Sequence, residues 1–170
     1  MPEHIEFATQ QDETPLREIF LAADMDLIGD IEDHVVIHVG GELCGGGLVY
    51  QMDVELFHLL TLAVDRSLRS RGTGSRLLQQ ILKDPWAYCR DAVAGKEKAY
   101  RVTTVARGSS HDFYLKNGMS DCRFNDLAPP FVDQCRQCPD VAHCYSAALE
   151  FTGVASAEQL SAVAEYRHAS

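Results

Sequence analysis

The hydrophobic pattern alternates between periods of two and of about three and a half along most of the chain. "HIEFAT" near the start has polar and apolar residues in turn, the signature of a short strand. Thr14 then offers a helix cap with Pro15 at the first helical position, and Leu16, Ile19, Phe20 and Ala23 fall on one helical face. "HVVIHVGGELCGGGLVYQ" reads as a hairpin turning at Gly40-Gly41. Gly45, Gly46 and Gly47 inside its second arm predict a bulge or a close backbone approach.

"VELFHLLTLAV" is almost wholly apolar, which predicts a strand buried on both faces in mid-sheet. Leu77, Leu78, Ile81 and Leu82 then form a helical stripe that Pro85 ends. "PWAYCRDAVAG" suits a second short helix, "YRVTTVA" another buried strand, and "SSHDFYLKNGM" a short helix capped by Ser109 or Ser110 and stopped by Gly118. This strand–helix–strand–helix order implies a right-handed crossover between parallel neighbours. After Met119 the pattern weakens through a Pro-Pro break and a cysteine cluster. Ser156 with Gln159 then forms a capping-box pattern for a last helix, with Leu160 and Val163 or Ala164 on one face.

Length, 170 residues, suits one domain with a real core. Composition is that of an ordinary globular protein. The net charge of -10 argues against a nucleic-acid partner, which would need basic patches. The start "MPEHIEF" lacks a basic region followed by an apolar run, and no apolar stretch approaches ~18 residues. These features predict a cytoplasmic protein without membrane contact, monomeric or homodimeric. In that compartment its six cysteines are not expected in structural disulfides.

"RSRGTGSRLL" is where chemistry first shows. Gly72 and Gly74 permit backbone angles closed to other residues, so that amides can converge at the start of the following helix. A helix N-terminus with free N–H groups binds anions, and Arg69, Arg71 and Arg76 add charge suited to phosphate. The phosphate loop of nucleotide hydrolases is excluded by its missing pattern, and a dinucleotide fingerprint by Leu77 in place of its third glycine.

"LAVDRSLRSRGTGSRLL" resembles the acetyl-CoA-binding core of the GNAT family of N-acetyltransferases. The family pattern [RQ]-x-x-G-x-[GA] is matched by Arg69-Ser70-Arg71-Gly72-Thr73-Gly74 after a long apolar strand. "VTTVARGSSHDFYLKNGM" resembles the second core segment, with Tyr114 and Gly118 in place and Met119 for the usual aromatic. The resemblance implies a single α/β domain with a central mixed, splayed sheet of about six or seven strands flanked by helices. Residues 1–126 would be the GNAT core. Residues 127–170 would be an extension, with the cysteine cluster and the terminal helix, packed on the same domain.

The resemblance also implies a reaction: an acetyl group moves from the cosubstrate acetyl-CoA to the primary amine of a small, amino-acid-like molecule by direct attack. It places the pyrophosphate at Arg69, Ser70, Arg71, Gly72, Thr73, Gly74 and Ser75, and the pantetheine arm along Leu62, Ala63 and Val64. It sets the Tyr114 hydroxyl beside the sulfur as the acid.

For the base, His58 is one of two polar side chains in its apolar strand, with a near-neutral titration. It stands eleven residues before the loop motif, where several family members carry a base. Strand alternation puts it on the face of Leu60, Leu62 and Val64. Glu55 acting through water is the alternative. The acidic 24–33 segment, with Asp24, Asp26, Asp30, Glu32 and Asp33, reads either as a solvated loop or as the wall of a pocket for a cationic acceptor. The opening segment has the flavour of amino-acid acetyltransferases, N-acetylglutamate synthases among them, so the two hints conflict.

"CRQCPDVAHC" lies outside that resemblance. Cys135-x2-Cys138 is good zinc geometry, with Cys144 as a third ligand and His143 or Cys122 as a fourth. The same spacing resembles the iron–sulfur ligand run of oxygen-sensing fumarate–nitrate regulators, with Cys122 or Cys89 completing the set. Packed or surface thiols are the plainer reading. The cluster opens an alternative function: a redox or metal sensor that binds an acyl-CoA without turning it over.

Overall fold

A computed structural model describes residues 2–69 and 71–168. The strands are β1 (Glu3–Phe7), β2 (His34–Val39), β3 (Glu42–Asp53), β4 (Leu56–Val64), β5 (Ala99–Ala106), β6 (Ser120–Cys122) and β7 (Ala147–Val154). They form one mixed sheet in the order β1-β2-β3-β4-β5-β7-β6. Among the described residues only β4 and β5 run parallel, joined by helix α2 (Thr73–Lys83). Helix α1 (Glu13–Ala22) lies on one face of the sheet. Helices α2 and α3 (His111–Lys116) pack on the other, with α5 (Ala157–His168) beside them.

The stripe on α2 goes where its period sends it. Leu77, Leu78, Ile81 and Leu82 are all buried against Phe57, Leu59 and Val102 of the central strands. Each such burial stabilises by about 2 kcal/mol. Trp86 sits edge-on to both Phe57 and Tyr100, with ring centroids 5.0 Å apart in each pair. The opposite face holds Leu16, Ile19 and Phe20 of α1 against Val36 and Ala63.

Two local expectations shift. Helix α1 begins at Glu13, one turn after a Thr9–Asp12 capping box, so Thr14 and Pro15 lie inside its first turn. A proline is harmless there because first-turn amides have no intrahelical acceptor. Pro85–Tyr88 forms a single 3-10 turn rather than a helix. The capping box at Ser156 and Gln159 is present, with both reciprocal bonds made.

The three glycines of β3 serve close approach. A methyl group on Gly46 would sit 2.6 Å from the Val35 carbonyl oxygen, and one on Gly47 2.6 Å from that of Thr61. Register slips nearby, so that Cys44 on β3 and Leu60 on β4 are left without a direct partner. The slip at Leu60 corrects the expected strand face. Leu60 stays on the His58 side, packed with Phe131, whereas Leu62 joins Phe57 and Leu59 on the side of α2. One extra residue in a strand inverts the alternation beyond it.

The stretch beyond residue 126 contributes a strand to the central sheet. Its strand β7 is inserted between β5 and β6 and pairs with β5 over eight residues, Ala99–Ala106 against Ala147–Val154. Between β6 and β7, residues 123–146 cross the face that carries α1. Leu127 and Phe131 are buried there over Leu60, Val105 and Ala148, and a short helix, α4 (Val141–Cys144), precedes β7.

Candidate active site

The site begins where two strands part. β4 and β5 pair from Leu56/Arg101 to Leu59/Thr104 and no further, although β4 continues to Val64 and β5 to Ala106. The β5-facing edge of Leu60–Val64 therefore has no strand partner among the described residues, which makes it a template for an extended ligand. Its other edge pairs with Gly45, Gly46 and Gly47.

Both diverging ends are tied to the same turn. Arg66, just after β4, donates to the Ala22 carbonyl, and Arg107, just after β5, donates to the carbonyls of Ala23 (3.2 Å) and Asp24 (2.6 Å). These bonds satisfy carbonyls at the end of α1, where the helix dipole favours cations. They also hold Asp24 at φ +55°, a conformation that L residues seldom adopt. From sequence, Arg66 stands out only as a residue where the resembled family commonly has proline, and Arg107 is not singled out. Each follows the last residues of a strand, a position that carries no pattern of its own.

At the neighbouring end of the gap stands the N-terminus of α2. Gly72 caps it at φ +80°, and the first intrahelical bond is Arg76 N–H to the Gly72 carbonyl, 3.0 Å. The amides of Thr73, Gly74 and Ser75 precede it, and no side chain caps them. Together with the glycine turn they make an anion cradle. The Arg76 guanidinium is paired with Glu3 and donates to the Arg71 carbonyl at 3.1 Å, which braces the loop from behind. Ser70 lies outside the described residues.

A cleft of about 1070 Å³ runs through the gap. Arg69 and Gly72–Ser75 line it where α2 begins, together with Leu62, Ala63 and Val64 of β4 and Phe113 and Tyr114 of α3. Asp24, Asp26 and Ile28, which follow α1, and Gln134, Cys135, Cys138, Cys144 and Ser146 of the crossing segment line it as well. Arg71 is exposed outside it. Thr61, the second polar side chain of β4, also lines the cleft, and its buried hydroxyl has no partner among the described residues.

Tyr114 is 7% exposed and packs edge-on against Phe113, 5.2 Å between centroids. Burial pushes its phenol up to about 12, so the hydroxyl keeps its proton at neutral pH.

His58 is brought elsewhere. It is 1% exposed, its Nδ1 is 2.8 Å from Thr103 Oγ1, and its ring stacks on Phe131 at 3.7 Å. Burial lowers its pKa to about 4. It does not line the cleft. Glu55 stands before the opposite end of β4, about 23 Å of extended chain from Leu62.

The cysteines divide. Cys44 and Cys89 are buried in the core, and Cys122 sits on β6 beside the Phe131 cluster. Cys135, Cys138 and Cys144 meet at the cleft. All six are free thiols. The expected zinc or iron–sulfur centre finds no preformed ligand set: among the described residues no three His, Cys, Asp or Glu side chains are placed to hold a metal ion. Cys135 Sγ accepts a hydrogen bond from Ser146 Oγ at 3.1 Å instead.

Comparison with known proteins agrees with this geometry. The sequence pattern of the acetyltransferase (GNAT) family matches residues 3–119. No curated protein matches the chain in sequence. Among solved structures, N-acetylglutamate synthase from Neisseria gonorrhoeae, complexed with coenzyme A and N-acetyl-glutamate, aligns with a TM-score of 0.68 at 15% identity. That alignment covers 89% of this chain and 35% of the synthase, so the chain spans about a third of that protein. Ard1 from Thermoplasma volcanium aligns at 0.61 and 18% identity, covering 92% of this chain and 99% of that one. Rv2747 from Mycobacterium tuberculosis, in complex with CoA and NLQ, aligns at 0.61 and 13% identity, covering 89% and 99%. Among the described residues, no helix is long and apolar enough to cross a membrane.

Proposed function

The chain belongs to the acetyltransferase (GNAT) family, and on that premise we propose that this acyl-CoA-dependent acetyltransferase acetylates the primary amine of a small, amino-acid-like molecule by direct attack. The observation that carries the proposal is the gap between β4 and β5, which joins the anion cradle of α2 to an acidic wall on the other face of the sheet. The pyrophosphate of acetyl-CoA would sit on the amides of Thr73, Gly74 and Ser75, with Arg69 beside it. The pantetheine arm would extend along the open edge of Leu62–Val64, which brings the thioester to Tyr114.

The amine then attacks the thioester carbon, the C–S bond breaks, and the departing thiolate takes a proton from the Tyr114 hydroxyl. A phenol with a raised pKa is protonated when it is needed and returns to that state readily. The acceptor end carries Asp24 and Asp26; Arg66 and Arg107 donate to carbonyls of the α1 turn, and Arg107 also lies 3.9 Å from the Asp24 carboxylate. Asp26, outside that pair, is the group that supports an acceptor bearing positive charge over a dicarboxylate such as glutamate. We assign His58 to packing under Phe131, and deprotonation of the ammonium to water in the cleft.

The test is a screen of cationic, neutral and acidic amines with acetyl-CoA, following thiol release. Cationic primary amines are expected to accelerate release over the buffer rate, with the acetylated amine recovered by mass spectrometry. No acceleration by any amine would overturn the acceptor assignment, and a preference for dicarboxylate amines would overturn its charge.

A further inference from the structure

We propose that Cys135 and Cys138 are a reversible dithiol–disulfide pair on the acceptor wall of the cleft, oxidised by small disulfides of the glutathione class. The first support is backbone geometry. The Cys138 amide donates to the Cys135 carbonyl at 3.4 Å, closing a four-residue turn. Such a turn brings its end Cα atoms within about 7 Å, and a disulfide spans about 4.4–6.8 Å between Cα atoms. The bridge needs side-chain rotation and little backbone movement.

The second support is access. Both thiols are half-buried and line an open cleft, whereas Cys44 and Cys89 are sealed in the core. The third is the hydrogen bond from Ser146 Oγ to Cys135 Sγ at 3.1 Å. That bond holds the Cys135 sulfur at the cleft, where a small disulfide can reach it.

The exchange proceeds in two displacements. One cysteine loses its proton and its sulfur attacks a sulfur of glutathione disulfide. A mixed disulfide forms, the glutathione S–S bond breaks, and the departing thiolate takes up a proton. The second cysteine, likewise deprotonated, displaces the remaining glutathione. Two electrons pass from the protein pair to the oxidant, two glutathione thiols form, and the protein loses two hydrogens. Oxidation draws Cys135 Sγ away from Ser146 and replaces two thiols on the wall with one apolar S–S group, which changes the acceptor end of the cleft.

The test uses the full chain equilibrated with mixtures of reduced and oxidised glutathione, quenched in acid and alkylated in denaturant. Fully reduced protein takes up six labels, one for each cysteine. Oxidising mixtures are expected to remove two, with peptide mapping placing both at Cys135 and Cys138. Cys138→Ser should stop at a glutathione adduct on Cys135, while Cys144→Ser and Cys122→Ser should still lose two labels. Full labelling at every ratio overturns the proposal, and so does a lost pair that includes Cys144. Stoichiometric zinc retained by the reduced protein, with all three thiols shielded from alkylation before denaturation, overturns it in favour of a metal site. None of these readouts depends on acetyl transfer, so their outcome is separate from that of the amine screen.

Discussion

His58 lies face to face with Phe131, ring centroids 3.7 Å apart and planes 9° from parallel, and its Nδ1 is within hydrogen-bond distance of Thr103. The contact clamps the segment between β6 and β7 onto the middle of β4. It also places an imidazole where its charged form is poorly solvated.

Stability should therefore depend on pH through His58. Its folded pKa, about 4, is below the unfolded value of about 6.5. Between these values the unfolded chain binds more protons, so stability falls as pH drops from about 6.5 and levels off below about 4. The full loss is about 3 kcal/mol at about 1.4 kcal/mol per unit. Urea unfolding at pH 7 and pH 4.5 measures it. His58→Gln should flatten the dependence relative to wild type, whereas parallel profiles would show that His58 does not titrate in this way.

Activity separates packing from base catalysis at the same residue. His58→Gln is expected to lower the rate by a similar factor at every pH from 6.5 to 9, because it loosens the Phe131 clamp. A loss concentrated at pH 7–8, with recovery where free amine is abundant, would restore His58 as the base.

Tyr114→Phe should cut turnover by about 10²-fold or more, the usual scale of a lost general acid, with coenzyme A affinity nearly unchanged. Calorimetry alongside single-turnover rates distinguishes the two. Single-turnover chemistry at the wild-type rate would remove the hydroxyl from the mechanism.

Gly72→Ala should weaken coenzyme A binding. Its φ of +80° costs an L residue about 1–2 kcal/mol, and the new methyl would meet Arg76 Nη1 at 2.8 Å. Gly74→Leu should act differently, because the first atom of its side chain already touches Val64 and Phe113 across the cleft. It is expected to abolish binding with the fold intact by circular dichroism. Unchanged affinity in both variants would show that the cradle lies elsewhere.

Much of the fold was legible because it is local. The Gly40-Gly41 turn, the α2 stripe and the Ser156–Gln159 cap each depend on residues a few positions apart, so period and spacing reveal them. The strands after Met119 were not legible. β7 reads "AALEFTGV", a mixed pattern in which only Ala148 and Leu149 are buried, and its place in the sheet comes from pairing with β5 and β6 rather than from its own composition. Thr14 and Pro15 misled at the start of α1, since a proline fits any position of a first turn.

By itself, the sequence determined the anion cradle, the paired strand–helix units that hold it, and Tyr114 within them. Glycines, cap residues and apolar periods act over one or two turns of chain, and their meaning is the same wherever the chain folds. Tertiary structure decided which polar groups meet. The unpaired Leu60 inverted the alternation of β4 and put Leu62 on the face opposite His58. Phe131, 73 positions away, closed over His58 and lowered its affinity for a proton. The same crossing segment carried Cys135, Cys138 and Cys144 to the cleft that Asp24 and Asp26 also line. Burial and proximity between distant segments depend on how whole elements pack, so no window of sequence contains them.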